Sequence, residues 1–116
     1  MTFSHVLAVA PVRDIETAVD WYTRLMGRQP DARPMPGLAD WHVAPGGWIQ
    51  VFVSPEHAGS TLLNLAVNDL NATLTQLAAR DIHGADIQPG AQNVRFTAVH
   101  DPAGNRVTLI ESPVGA

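Results

Sequence analysis

The sequence contains no cysteine, which excludes disulfides and thiolate–metal sites alike. No apolar run approaches the roughly 20 residues of a membrane-spanning helix, so no membrane partner is expected. There is no basic block, and the formal charge is −4, which argues against nucleic acid as a partner. Met1 to Val12 shows neither a basic stretch ahead of a long apolar core nor a small-residue cleavage site, so a cytoplasmic location is expected. No pair of histidines has zinc-motif spacing. A Gly-x-Ser-x-Gly elbow, a phosphate loop and a dinucleotide fingerprint are missing too.

What is present suits one folded unit. A chain of 116 residues matches the usual size of a single domain, and 46% apolar with 16% charged residues is enough for an ordinary core. Nine Gly and nine Pro point to many turns between short strands. Val6 to Val12 reads as a buried strand. Asp14 stands at a helix N-cap, and Ile15, Ala18, Val19, Tyr22, Leu25 and Met26 recur at helical spacing up to Gly27, a C-cap ahead of Pro30. Pro30 to Gly37 reads as an edge strand or an irregular arm. Leu38–Ala44 and Trp48–Val53 flank a Pro-Gly-Gly hairpin turn, and Ser54 to Ser60 forms a connection.

The pattern then returns. Leu62–Val67 is a second apolar strand, Asp69 a second N-cap, and Leu70, Thr73, Leu74, Leu77 and Ala78 a second stripe, expected to end near His83-Gly84. A weak strand near Ile87, a strand at Val94–His100, a turn at Asp101–Asn105 and a strand at Arg106–Glu111 complete the half. Val12-Arg13-Asp14-Ile15 aligns with Val67-Asn68-Asp69-Leu70, and Trp48-Ile49-Gln50-Val51 with Arg106-Val107-Thr108-Leu109. The expected fold is α+β: two tandem βαβββ modules, about residues 1–54 and 60–113, giving eight strands in a curled mixed sheet around a cleft, with the helices outside.

Two segments carry a resemblance. Leu7 to Gly27 (LAVAPVRDIETAVDWYTRLMG) and Phe96 to Glu111, ending in DPAGNRVTLIE, resemble the first strand and helix and the last hairpin of the glyoxalase/bleomycin-resistance/extradiol-dioxygenase (vicinal-oxygen-chelate) superfamily. That fold hosts lyases, isomerases, dioxygenases, thiol transferases and drug binders, so the resemblance implies a fold rather than one activity. It also implies a homodimer. Its metal-dependent members take ligands from the first and last strands of each half, and those positions carry over to Leu7, Gln50, Leu62 and Thr108. Two aliphatic side chains, one amide and one hydroxyl make no cation site, so no metal and no cofactor are expected. His5, on the same strand face as Leu7, could supply one ligand, which still leaves too few.

The same carry-over turns Trp48, Gln50 and Phe52 toward the cleft, with Leu7, Leu62, Asn64 and Thr108 and its neighbours Arg106 and Ile110. His42 and His100 are candidates for the same surface, whereas His57 and His83 read as solvated. An apolar cup with scattered polar groups is the usual make-up of a small-molecule site. The expected function is metal-independent binding of a small organic molecule. The alternatives are a lyase, isomerase or dioxygenase-type enzyme acting on a small carbonyl or oxygenated compound, with His100 or His5 working beside a carboxylate, and a structural dimer with a filled cup. In the DPAGN turn, Asp101 reads as a structural acceptor of backbone N–H groups, and Trp21 and Trp41 as candidates for an interface.

Overall fold

The computed structural model describes residues 2–112. Its elements run β1 (Val6–Val12), α1 (Ile15–Met26), β2 (Leu38–Ala44), β3 (Gly47–Val53), β4 (Leu62–Val67), α2 (Leu70–Ala79), β5 (Gln88–Pro89), β6 (Arg95–His100) and β7 (Arg106–Glu111). The final residue of the expected second module, 113, lies outside the described residues.

Both helices start as their sequences require. Asp14 and Asp69 accept hydrogen bonds from the backbone N–H groups of Thr17 and Ala72. The bonds from Thr17 hold the Asp14 carboxyl below its ordinary value. Gly27 ends α1 in the left-handed conformation, φ 75°. Helix α2 stops at Ala79, before the expected His83-Gly84. Asp81 turns left-handed there (φ 61°), and the N–H groups of Asp81 and Ile82 reach back to the carbonyls of Ala78 and Leu77. Two carbonyls are satisfied, and buried Ile82 folds onto the core.

The strands form two sheets, ordered β1-β3-β2 (sheet A) and β4-β7-β6-β5 (sheet B). In each, the first strand of the half lies parallel to the last, and the rest is antiparallel. The topology therefore repeats as the sequence pattern does. The expected single eight-stranded sheet is not what pairs within one chain. One strand is missing from sheet A because Pro30, Pro34 and Pro36 supply no backbone N–H, and the arm contributes only an isolated bridge between Ala32 and Asp40. Sheets A and B share no strand pair, and every substantial contact between elements lies within one half.

Alternation puts one face of each sheet against a helix. From sheet A, Ala10, Val12, Ala39, Trp41, Ile49 and Val51 are buried under α1, and from sheet B, Leu63, Val99, Val107 and Leu109 are buried under α2. Each fully buried aliphatic contributes about 1.5–3 kcal/mol. Trp21 and Trp41 belong to this core rather than to an interface: Trp41 is fully buried, and its indole N–H donates to the Arg28 carbonyl at 3.0 Å.

The halves meet through their helices and one turn. Tyr22 Oη donates to Asp101 Oδ2 at 2.8 Å, and Asn105 Nδ2 donates to the same oxygen at 2.8 Å and to the Pro11 carbonyl at 2.7 Å. Asn105 Oδ1 accepts from the N–H groups of Gly59 and Thr61 in the connecting segment. Gly59 must be glycine: its φ is 92°, and a Cβ would meet the Ala103 carbonyl oxygen at 2.5 Å. Asp101 Oδ1 takes the N–H groups of Ala103 and Asn105, which makes this residue the structural acceptor the turn sequence implies.

Candidate functional site

The faces turned away from the helices carry the expected site residues. Strand register arranges sheet A in rows across β1, β3 and β2: Leu7–Trp48–His42, then Val9–Gln50–Asp40, then Pro11–Phe52–Leu38. Sheet B answers with Leu62–Arg106–His100, Asn64–Thr108–Ala98 and Ala66–Ile110–Phe96 across β4, β7 and β6. The structure thus brings Leu7, Trp48, Gln50 and Phe52 together on one sheet and Leu62, Asn64, Thr108 and His100 on the other. It does not bring the two sets together by strand pairing.

These open faces carry exposed apolar side chains among polar ones: Leu62 is 70% exposed, and Leu7, Val9 and Phe52 are also exposed. β1 and β4 are both edge strands, each with one hydrogen-bonded neighbour. Exposed edges and apolar patches of this kind are what proteins ordinarily cover.

One cluster on sheet A was not singled out from the sequence. Trp48 is sandwiched between two imidazoles, His42 at a ring-centroid distance of 3.6 Å and His5 at 3.9 Å, both nearly parallel to it. His42 is anchored through its backbone. Its N–H donates to Asp31 Oδ2 and its carbonyl accepts from Arg28. The His42 N–H, and then the Arg28 guanidinium, hold the Asp31 carboxyl below its ordinary value. Asp40, two residues back on the same face, is 5% exposed, and its Oδ1 is buried without a hydrogen-bond partner; His42 Nε2 is in the same condition. The alternation of Leu-Ala-Asp-Trp-His, read against Gln50, was the signal that could have found Asp40.

The fold and its faces have close counterparts among solved structures. The chain is 31% identical to a glyoxalase/bleomycin resistance protein from Catenulispora acidiphila, with a TM-score of 0.88 over 94% of this chain and 98% of that one. The chain belongs to the glyoxalase/bleomycin resistance family. Two further solved structures show the same fold at lower identity. One is a lactoylglutathione lyase from Agrobacterium tumefaciens (15%, TM-score 0.78, 91% of each chain). The other is TnmS3, an antibiotic binding protein from Streptomyces sp. CB03234 (24%, TM-score 0.77, 97% and 98%). No protein-family model and no curated protein matches the sequence.

The four positions that the resemblance assigns to a metal carry residues that do not suit one. Leu7 and Leu62 offer no donor atom, and Gln50 and Thr108 offer one amide oxygen and one hydroxyl. His5 is stacked on Trp48 with its Nδ1 at 3.0 Å from Ser4 Oγ. Among the described residues, no three His, Asp or Glu side chains are grouped so as to hold a cation. Neither His5 nor His100 is hydrogen-bonded to a carboxylate there, and His100 lies across from Arg106. His57 contacts Ser54 Oγ and His83 contacts Asp81, both away from the open faces.

Proposed function

We propose that this protein binds a small organic molecule without a metal, in a cup that two copies of the chain build together. The open face of sheet A from one copy would face the open face of sheet B from the other. β1 and β4, the free edges, would meet to give one curled sheet with both helices outside. The observation that carries this reading is the coincidence of edge strand and exposed apolar side chains on the open face: Leu7 and Val9 on β1, and Leu62 on β4. An apolar wall with Gln50, Asn64, Thr108 and His100 spaced along it suits an organic ligand, and the likeness to an antibiotic binding protein supports an antibiotic-like one. Among the described residues no helix is long and apolar enough to cross a membrane. We place the activity in the cytoplasm.

Leu62→Asp buries a carboxylate in the proposed interface, so light scattering should report dimers for the parent protein and monomers for the variant. Thermal-shift titration with bleomycin and other antibiotics, before and after dialysis against a chelator, tests the ligand and the metal. A ligand at 100 times its Kd raises stability by about 2.7 kcal/mol. A parent protein that is monomeric, or that turns over small carbonyl compounds only with added Ni, Zn, Fe or Mn, would replace this reading with the enzyme one.

A further inference from the structure

The Asp40–His42 pair specifies what kind of ligand the open face takes. Asp40 satisfies its backbone fully: its N–H donates to the Ala32 carbonyl, and its own carbonyl accepts from Asp31. Only the side chain is left over. Oδ1 is buried and unbonded, although Gln50 stands directly across the strand pair. The nearby guanidinium groups are engaged elsewhere. Arg28 bonds to Asp31 and the His42 carbonyl, and Arg33 to Glu16 and the Leu38 and Pro36 carbonyls. A buried, unpaired carboxylate oxygen is costly, and structures keep such groups where something else repays them. His42 Nε2, on the same face two residues along the strand, is a second buried polar atom without a partner. Its ring is stacked on Trp48 at 3.6 Å, and His5 stacks on the same indole at 3.9 Å.

We infer that Asp40 and His42 form the polar end of the ligand site and select a planar nitrogen cation, an amidine or guanidine carried on an aromatic body. Charge-assisted N–H donors suit the carboxylate best. A delocalised planar cation gives up its water more readily than an ammonium does, as entry to a covered site requires. Val9, Leu38 and Phe52, in the same and the adjoining rows, supply the apolar surface for the body. With Nε2 unprotonated, His42 accepts a second N–H from the same group. The inference rests on the reading that sheet A lines the ligand site, and it adds a charge requirement which that reading lacks.

The test compares benzamidine with its neutral near-isostere benzamide, by two-dimensional NMR on isotopically labelled protein. Benzamidine should shift the signals of Asp40, His42 and Gln50 saturably, and benzamide should bind at least tenfold more weakly. Asp40→Asn, which keeps the shape and removes the charge, should weaken benzamidine at least tenfold, leave the dimer intact, and melt at or above the parent Tm. Equal binding of the two probes, shifts confined to other strands, or unchanged benzamidine affinity in Asp40→Asn would each overturn the inference. So would a fall in Tm, since it would reveal a structural partner for the carboxylate. The parent protein's preference between the two probes decides the matter even if the variant does not fold. A dimer that takes neutral antibiotics but ignores benzamidine sinks this inference and leaves the proposed function standing; a monomer sinks the proposed function.

Discussion

Where the end of β1 meets the β6–β7 turn, the halves are joined by Tyr22, Asp101 and Asn105. Where the end of β4 meets the β2–β3 turn, the matching positions of the repeat are Leu77, Val43 and Gly47. The first seam is closed by four hydrogen bonds to the Asn105 side chain and by the Tyr22–Asp101 bond, and the cleft left beside it holds about 100 Å³. The second seam has no polar group at those positions to bridge the gap. Val43, Ala66 and Leu77 there line a groove of about 440 Å³. The two copies of the module thus differ: one seam is tied by a buried polar network, and the matching positions of the other carry two apolar side chains and a glycine. The most direct way to break the comparison is to make the same change on both sides. Asn105→Ala strips partners from the Gly59 and Thr61 N–H groups and the Pro11 carbonyl in a fully buried place, and should cost about 3–5 kcal/mol in urea denaturation. Gly47→Ala, at the matching position, adds a Cβ that meets only the Ala44 Cβ at 3.9 Å, and should stay within about 0.5 kcal/mol.

A milder cut at the first seam has a pH signature. Tyr22 is buried, and burial first, then the Asp101 carboxylate it bonds, push its hydroxyl well above its ordinary ionisation. The folded protein therefore keeps the proton that the unfolded chain loses above about pH 10. The stability tied to this group is intact below that value and drains away as pH rises toward the folded-state ionisation, by about 1.4 kcal/mol per pH unit. Tyr22→Phe should cost about 1–2 kcal/mol at neutral pH, because Asp101 loses a buried donor. It should also flatten the alkaline decline, so the parent and variant curves of stability against pH converge above pH 10. Leu77, which holds the matching place, gives the second seam no such slope.

The order of strands and helices was legible because local signals agree with the global fold. The caps at Asp14, Gly27 and Asp69, the turn at Asp101–Asn105 and the repeated strand–helix order all follow from residue chemistry within a few positions. The eighth strand was not legible as missing, since one sequence stretch with three prolines serves equally as an edge strand or as an arm. The end of α2 was misplaced because Asp81, not a glycine, takes the left-handed position. The positions carried over by resemblance, Gln50 and Thr108, together with strand alternation, put Trp48, Gln50 and Phe52 on one face and Asn64 and Thr108 on another, as the strand register does. Which sheet each belongs to, and that the two faces do not pair within one chain, depends on how the halves pack, and nothing local encodes that. Alternation against Gln50 puts Asp40 on the same face but says nothing of its burial. The importance of Asp40 lies in having no partner, and partners are a property of the packed molecule.

The last test concerns what the two seams share. Between the C-terminal ends of the two helices, Arg24 donates to the carbonyls of Arg80 and Asp81, each at 3.3 Å, and Arg80 Nε donates to the Arg24 carbonyl at 2.6 Å. Each arginine thereby caps the C-terminal end of the other half's helix, where carbonyls lack intrahelical partners and positive charge suits the dipole. The pair ties α1 to α2, the helices that carry Tyr22 and Leu77. Arg80→Met keeps most of the aliphatic stem and removes the donor, and should cost about 1 kcal/mol. Arg24→Met should cost a similar amount, with Arg24 also giving up its exposed pair with Asp20, which is worth little. The double variant should cost less than the two single losses together, since each change already loosens the contact the other depends on. Full additivity in urea denaturation would mean that the two arginines act as separate caps, with no coupling between the halves at the helix ends.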